Sequence, residues 1–222
     1  MKDLSSLQLI AFDVDGTLAE TDDYYVDKLT VSFQKILPFI KPEIIKKIVR
    51  PVVMAGETAL HGCYRLLDVV GLDKQISKAH SRVSVKQDYV YDAVSGMEKT
   101  IELLSSRYII GIITSGGRKS TDSFLEKFGL EKYIKIVISS EDCKFIKPHP
   151  APMLKIAEET GVAIENCMLV GDTIFDILCA KRAGAISAAV KSGFDSEPFL
   201  DRYKADLMLD TVNDLPDILK LR

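Results

Sequence analysis

A chain of 222 residues, 47% of them hydrophobic, can bury a full core and suits one large domain or one domain carrying an insert. Its 29 Lys and Arg against 32 Asp and Glu give a formal charge of -3, so no basic field exists to hold nucleic acid or an acidic membrane, and an anionic substrate must be gripped locally. Cys63, Cys143, Cys167 and Cys179 show no CxxC spacing and are expected to be reduced, mostly buried thiols rather than zinc ligands or a disulfide framework. The opening "MKDLSS" has no apolar core of a signal peptide, and no run approaches ~18 apolar residues, so the expected compartment is the cytoplasm.

In chain order, "LQLIAF" (7–12) is an apolar run that ends in Asp13 and Asp15. Residues 21–91 then show no convincing buried strand but carry helix-like stretches at 23–37, 42–49, 57–70 and 73–89. From residue 92 onward, short apolar runs alternate with amphipathic stretches. "YIIGIIT" (108–114), "IKIVIS" (134–139), "CMLVG" (167–171) and "AISAAV" (185–190) read as strands buried on both faces. "EKTIELLSSR", "KSTDSFLEKFG", "APMLKIAEETG" and "IFDILCAKRAG" read as helices; Gly129 and Gly184 suit helix ends, and Pro150 or Pro152 suits a first turn. The final "ADLMLDTVNDLPDILK" reads as one more strand and helix. This alternation predicts an α/β fold, a doubly wound, Rossmann-like parallel sheet formed by 1–20 and 92–222, with an inserted α-helical cap at 21–91 lying over the strand ends. Gly96 and the "LAETDD" segment are the expected hinges of that cap.

Chemistry-bearing residues gather at four strand ends. Asp13 and Asp15 stand two apart, so both can face a pocket beyond the first strand, and a hard cation such as Mg2+ is the natural neutraliser of the pair. A polar turn is the alternative reading. Gly16 permits a sharp exit and Thr17 adds a hydroxyl. Thr114, Ser115, Gly116 and Gly117 follow the second strand, offering a hydroxyl and backbone N–H groups to phosphate oxygens, or merely a turn and cap. Lys144 and Lys147 follow the third; Pro148 is expected to impose an extended turn that aims Lys147, whose alternative is a solvated surface position. His149, between two prolines, is expected to be exposed or locally bonded. Asp172 and Asp176 follow the fourth, at a spacing that places both on one helix face, though either could serve only the helix N-terminus.

Together, "DVDGT", Thr114 in "IITSGG", Lys147 in "KPHP" and "GDTIFD" resemble, in order, the four motifs of the haloacid dehalogenase superfamily. The helical insert after the first motif resembles its phosphoglycolate phosphatase and beta-phosphoglucomutase branch. The resemblance implies that Asp13 is a nucleophile forming an aspartyl-phosphate and that Asp15 is the acid and base. It further implies that Thr114 and Lys147 hold the phosphoryl group, and that Asp13, the Asp15 carbonyl and Asp172 hold Mg2+ with Asp176 in support. Ser115 departs from the asparagine common at that position. The activity expected is that of a phosphatase acting on a small phosphorylated metabolite, phosphoglycolate-like. Beta-phosphoglucomutase, inorganic pyrophosphatase and a non-catalytic phosphate-binding regulator are the alternatives, and the expected assembly is a monomer or weak homodimer. Tyr24, Tyr25, Arg50, His61 and Arg65 are the candidates in the cap for substrate contact.

Overall fold

The apolar runs become a single sheet. The computed structural model describes residues 4–20, 30–31, 34, 40–47 and 92–221. Strands β1 (Leu9–Phe12), β2 (Ile109–Ile113), β3 (Ile134–Ile138), β4 (Cys167–Gly171), β5 (Ile186–Val190) and β6 (Leu207–Leu209) lie in the order β3-β2-β1-β4-β5-β6. Every neighbouring pair is parallel. The chain steps outward from β1 to β3 and then crosses back to lay β4 on the other side of β1. That reversal opens a crevice beyond the carboxyl ends of β1 and β4, where open α/β sheets hold their ligands.

Alternation along the strands builds a core on each face. Ile10 and Phe12 of β1, Ile110 and Ile112 of β2, and Met168 and Val170 of β4 pack with α1 (Met97–Ser105) and α2 (Arg118–Lys127) through Met97, Ile101, Leu104, Phe124 and Leu125. Leu9, Ala11, Ile113 and Leu169 face the other way, onto α3 (Ala151–Thr160) and α4 (Ile174–Ala183) through Met153, Ile156 and Cys179. All four β1 side chains are fully buried. At about 1.5–3 kcal/mol for each large apolar side chain removed from water, this strand is a principal source of stability. Phe12→Ala would cost about 3–5 kcal/mol. Two short helices, α5 (Glu197–Asp201) and α6 (Leu215–Ile218), complete the core.

The expected bounds of β1 to β5 and α1 to α4 agree with the observed ones to within two residues, and β4 coincides with them, whereas the helix-like stretches expected at 57–70 and 73–89 lie outside the described residues. Gly129 (φ 63) and Gly184 (φ 92) close α2 and α4 in the left-handed region, Gly161 does the same for α3, and Pro152 sits in the first turn of α3 after Pro150. None of the helices among the described residues is long and apolar enough to cross a membrane.

Within the insert, residues 30, 31, 34 and 42–47 are helical. Tyr24, Tyr25, Arg50, His61, Cys63 and Arg65 lie outside the described residues. The exit and return of the insert are described, and they run side by side. Glu20 N–H donates to the Asp92 carbonyl at 2.8 Å and Val94 N–H to the Leu18 carbonyl at 2.9 Å, with Ala19 and Ala93 forming an antiparallel bridge between them. Asn213 ties the return segment to the end of the chain, donating to the Ser95 carbonyl at 2.9 Å and accepting from Thr100 Oγ1 at 2.6 Å. Gly96, one expected hinge, follows at φ 84 and begins α1.

Candidate active site

Asp13 stands immediately beyond β1, its N–H still bonded to the Val170 carbonyl of β4 at 2.9 Å. The chain then turns sharply: the Val14 carbonyl accepts from Leu18 and Ala19 N–H groups, both at 2.9 Å. Gly16 sits at φ 76 in this turn, and a Cβ there would overlap the Asp172 carboxylate. Both backbone and space therefore demand glycine. Thr17, fully buried, donates from Oγ1 to Asp172 Oδ1 at 3.0 Å. The turn after β1 is thereby fastened to the end of β4.

Thr114 is buried at the end of β2, its N–H bonded to the Ile138 carbonyl of β3 at 3.0 Å. Its Oγ1 accepts from Gly116 N–H at 2.9 Å. The Gly116 N–H offered to an anion by the sequence is thus engaged within its own turn, while the Thr114 hydroxyl retains a proton to donate. Ser115 is exposed. A Cβ on Gly116 would lie 3.2 Å from Thr114 Oγ1 and 3.8 Å from Asp15 Oδ2, so the Asp15 carboxylate lies over this turn.

Of the two candidate lysines, Lys147 enters the site. Lys144 is exposed, its ammonium 5.2 Å from the centre of the Phe145 ring. Lys147 is buried, with Nζ 2.8 Å from Asp13 Oδ1 and 2.7 Å from Asp176 Oδ1. The Lys147–Pro148 peptide is cis, and both residues lie in a turn. His149 is locally bonded, as expected: Nδ1 accepts from Ala151 N–H at 3.1 Å and the ring stacks on Phe145.

Asp172 and Asp176 converge by a different route from a shared helix face. Asp172 precedes the helix, at the end of β4, while Thr173 is the N-cap of α4 and Asp176 lies in its first turn. Asp176 Oδ2 accepts from Thr173 N–H at 3.1 Å and Thr173 Oγ1 at 2.6 Å, leaving Oδ1 for Lys147. This capping box orients the carboxylate that aims the lysine.

One segment at the site carries no signal in the sequence reading. After β5, Phe194 N–H donates to Asp172 Oδ2 at 2.8 Å, and a Cβ on Gly193 would overlap Asp172. Asp195, buried, accepts from Ile174 N–H at 2.7 Å and so caps α4. A glycine just beyond a fifth strand end was the available clue.

Asp13, Asp172 and Asp176 are buried and offer carboxylate oxygens within 4.8 Å of one another. Three carboxylates share one ammonium, and the electrostatics register the excess. Burial, with the Asp176 charge adding to it against the pull of Lys147, pushes Asp13 up to about 7. Burial, then the Asp13 and Asp176 charges, raises Asp172 well above the ordinary range. Burial alone would lower Lys147, but Asp13 and Asp176 outweigh it and the ammonium is held firmly protonated. A cluster of hard oxygen donors with surplus negative charge fits a small divalent cation.

Residues 10–190 match the sequence model of the haloacid dehalogenase-like hydrolases. A relative from Bacillus cereus (strain AH820), pyrophosphatase PpaX, is 27% identical over 221 residues, covering 96% of both chains. The crystal structure of a predicted phosphoglycolate phosphatase from Haemophilus somnus 129PT superposes with a TM-score of 0.66 at 20% identity, covering 97% of this chain and 99% of that one. L-2-haloacid dehalogenase from Xanthobacter autotrophicus gives a TM-score of 0.65 at 16% identity, covering 96% of this chain and 98% of that one. With the match spanning the site from β1 through β5, the chain belongs to the haloacid dehalogenase-like hydrolase family.

Proposed function

We propose that this protein is a magnesium-dependent phosphatase that hydrolyses a small phosphomonoester, phosphoglycolate-like, through an aspartyl-phosphate on Asp13. The observation that carries the reading is the buried Lys147 ammonium between Asp13 and Asp176, beside a third buried carboxylate at Asp172. Bound at Asp13, Asp172 and the Asp15 carbonyl, with Asp176 in support, Mg2+ would offset the charge that otherwise keeps a phosphate from an anionic nucleophile.

An Asp13 carboxylate oxygen attacks phosphorus as the bond to the leaving oxygen breaks, and Asp15 delivers a proton to that oxygen. In the second half, Asp15 takes a proton from water, the water oxygen attacks phosphorus, and the Asp13–phosphorus bond breaks to return the carboxylate. Thr114 Oγ1 and Lys147 Nζ supply hydrogen bonds and positive charge to the phosphoryl oxygens, which carry the developing charge. Lys147 is held for this task by Asp176, which Thr173 holds in turn.

A second reading, inorganic pyrophosphatase, is favoured by the relative named pyrophosphatase PpaX, similar along nearly its whole length. The two readings share the Asp13 chemistry and differ in the leaving group. Phosphate release from phosphoglycolate, pyrophosphate, hexose phosphates, nucleotides and p-nitrophenyl phosphate, with and without Mg2+, decides between them. Phosphoglycolate far ahead supports the monoesterase, and pyrophosphate far ahead replaces it with the second reading. Conversion of beta-glucose 1-phosphate without phosphate release would contradict both. Asp13→Asn at wild-type rate would overturn the shared chemistry.

A further inference from the structure

Two loops carry the groups that would grip phosphate. One is the Thr114–Gly117 turn after β2, and the other runs from Ser139 to Lys147 after β3. They are braced to each other through Asp142 and its neighbours. Asp142 Oδ2 accepts from Ser139 N–H at 2.7 Å and Ser139 Oγ at 2.5 Å, which folds the second loop back on the end of β3. The same oxygen accepts from Arg118 Nη2 at 2.9 Å, and the Arg118 guanidinium also donates to the Val137 carbonyl at 2.8 Å. Arg118 is the first residue of α2, directly after the Gly117 N-cap.

Backbone contacts continue the join. Ser140 N–H donates to the Gly116 carbonyl at 3.1 Å, and Arg118 N–H to Glu141 Oε1 at 3.2 Å. From the far side, Lys155 Nζ of α3 donates to the Asp142 carbonyl at 2.6 Å. Burial alone would push the Asp142 carboxyl up, but hydrogen bonds from Ser139 and Arg118 hold it below its ordinary value. The carboxylate is therefore ionised wherever the enzyme would work.

We infer that Asp142, through its ion pair with Arg118, is a positioning residue that fixes the separation of Thr114 and Lys147 and so sets the affinity of the site for a phosphoryl group. The inference rests on the phosphatase reading for its catalytic readout but not for its binding readout. None of the contacts described joins Asp142 to Asp13, Asp172 or Asp176, so it reaches the cation-binding carboxylates only through Lys147 and affects cation binding less than phosphate binding.

The test compares wild type with Asp142→Ala, Arg118→Met and the double variant, below the melting temperature of each. Loss of a charge-assisted brace predicts kcat/KM lower by about 10- to 100-fold in each single variant, with the double losing clearly less than the product of the two single losses. Affinity for inorganic phosphate, read by its thermal shift, falls in parallel, whereas the shift produced by Mg2+ alone changes less. Asp142→Asn, which keeps an acceptor for Ser139 and loses the ion pair, falls between wild type and Asp142→Ala. Unchanged kcat/KM and phosphate affinity in a destabilised variant would overturn the inference, leaving a purely structural ion pair; additive losses would overturn it by making Arg118 act alone. An inactive wild type would count against the phosphatase reading, and the phosphate-affinity comparison would still decide the role of Asp142.

Discussion

Lys147 Nζ lies 2.8 Å from Asp13 Oδ1, a buried ammonium in direct contact with the carboxylate proposed to attack phosphorus. Because Lys147 also bonds Asp176, its removal would leave buried carboxylates without their positive partner. Lys147→Met is therefore expected to destabilise the protein by about 3–5 kcal/mol. The loss should be larger at pH 8 than at pH 5.5, since protonation of Asp13 relieves the uncompensated charge. Chemical denaturation of the metal-free protein at both pH values checks this.

The pH dependence of the metal-free protein should run opposite to that of an ion-paired carboxylate of low pKa. Asp13 is held at about 7 against an ordinary 3.8, and Asp172 is raised in the same sense, mainly by burial. Between those values the folded chain binds protons more tightly than the unfolded one, so stability falls as pH rises toward 7. The melting temperature in chelator should accordingly drop from pH 5.5 to 8. Excess Mg2+ should reverse much of the drop, because binding to the ionised carboxylates stabilises only the folded form.

Glycine at position 193 is expected to be a condition for cation binding. Alanine there would push on Asp172, whose Oδ2 is otherwise fixed by the Phe194 N–H. Gly193→Ala should weaken Mg2+ binding by about tenfold or more, the loss expected when a group that orients a metal ligand is disturbed. Calorimetric titration with Mg2+, with folding checked by circular dichroism, measures it.

The buried thiols give a check on the core that is independent of activity. Burial pushes Cys179 up to about 12 and Cys167 up to about 11, and both lie within the sheet–helix packing. Cys143 is only partly covered. Alkylation of the folded protein at pH 8 should modify Cys143 while sparing Cys167 and Cys179, which should react only on unfolding.

What the sequence made legible follows from where information sits. Strands buried on both faces leave runs such as "CMLVG", and side chains that perform chemistry leave their own letters, so Asp13, Thr114, Lys147 and Asp172 could each be read at a strand end. Pro148 and the family resemblance already favoured Lys147 over Lys144; what the fold adds is the reason, an ammonium that reaches both Asp13 and Asp176. Phe194 acts through its N–H, a group every residue but proline carries, and its partner is 22 residues away. Gly193 acts by lacking a side chain. The register shift between β2 and β3 at Ile110 and Gly111 has the same character: nothing local announces it.

The proposed phosphoryl transfer through Asp13 is covalent and should leave a chemical trace on that residue. Rapid acid quench during turnover of p-nitrophenyl phosphate or pyrophosphate, followed by borohydride reduction and peptide mapping, tests it directly. The account predicts an acyl phosphate reduced to homoserine at position 13, lost in Asp13→Asn. Steady phosphate release with position 13 unmodified, or modification at another residue, would contradict it.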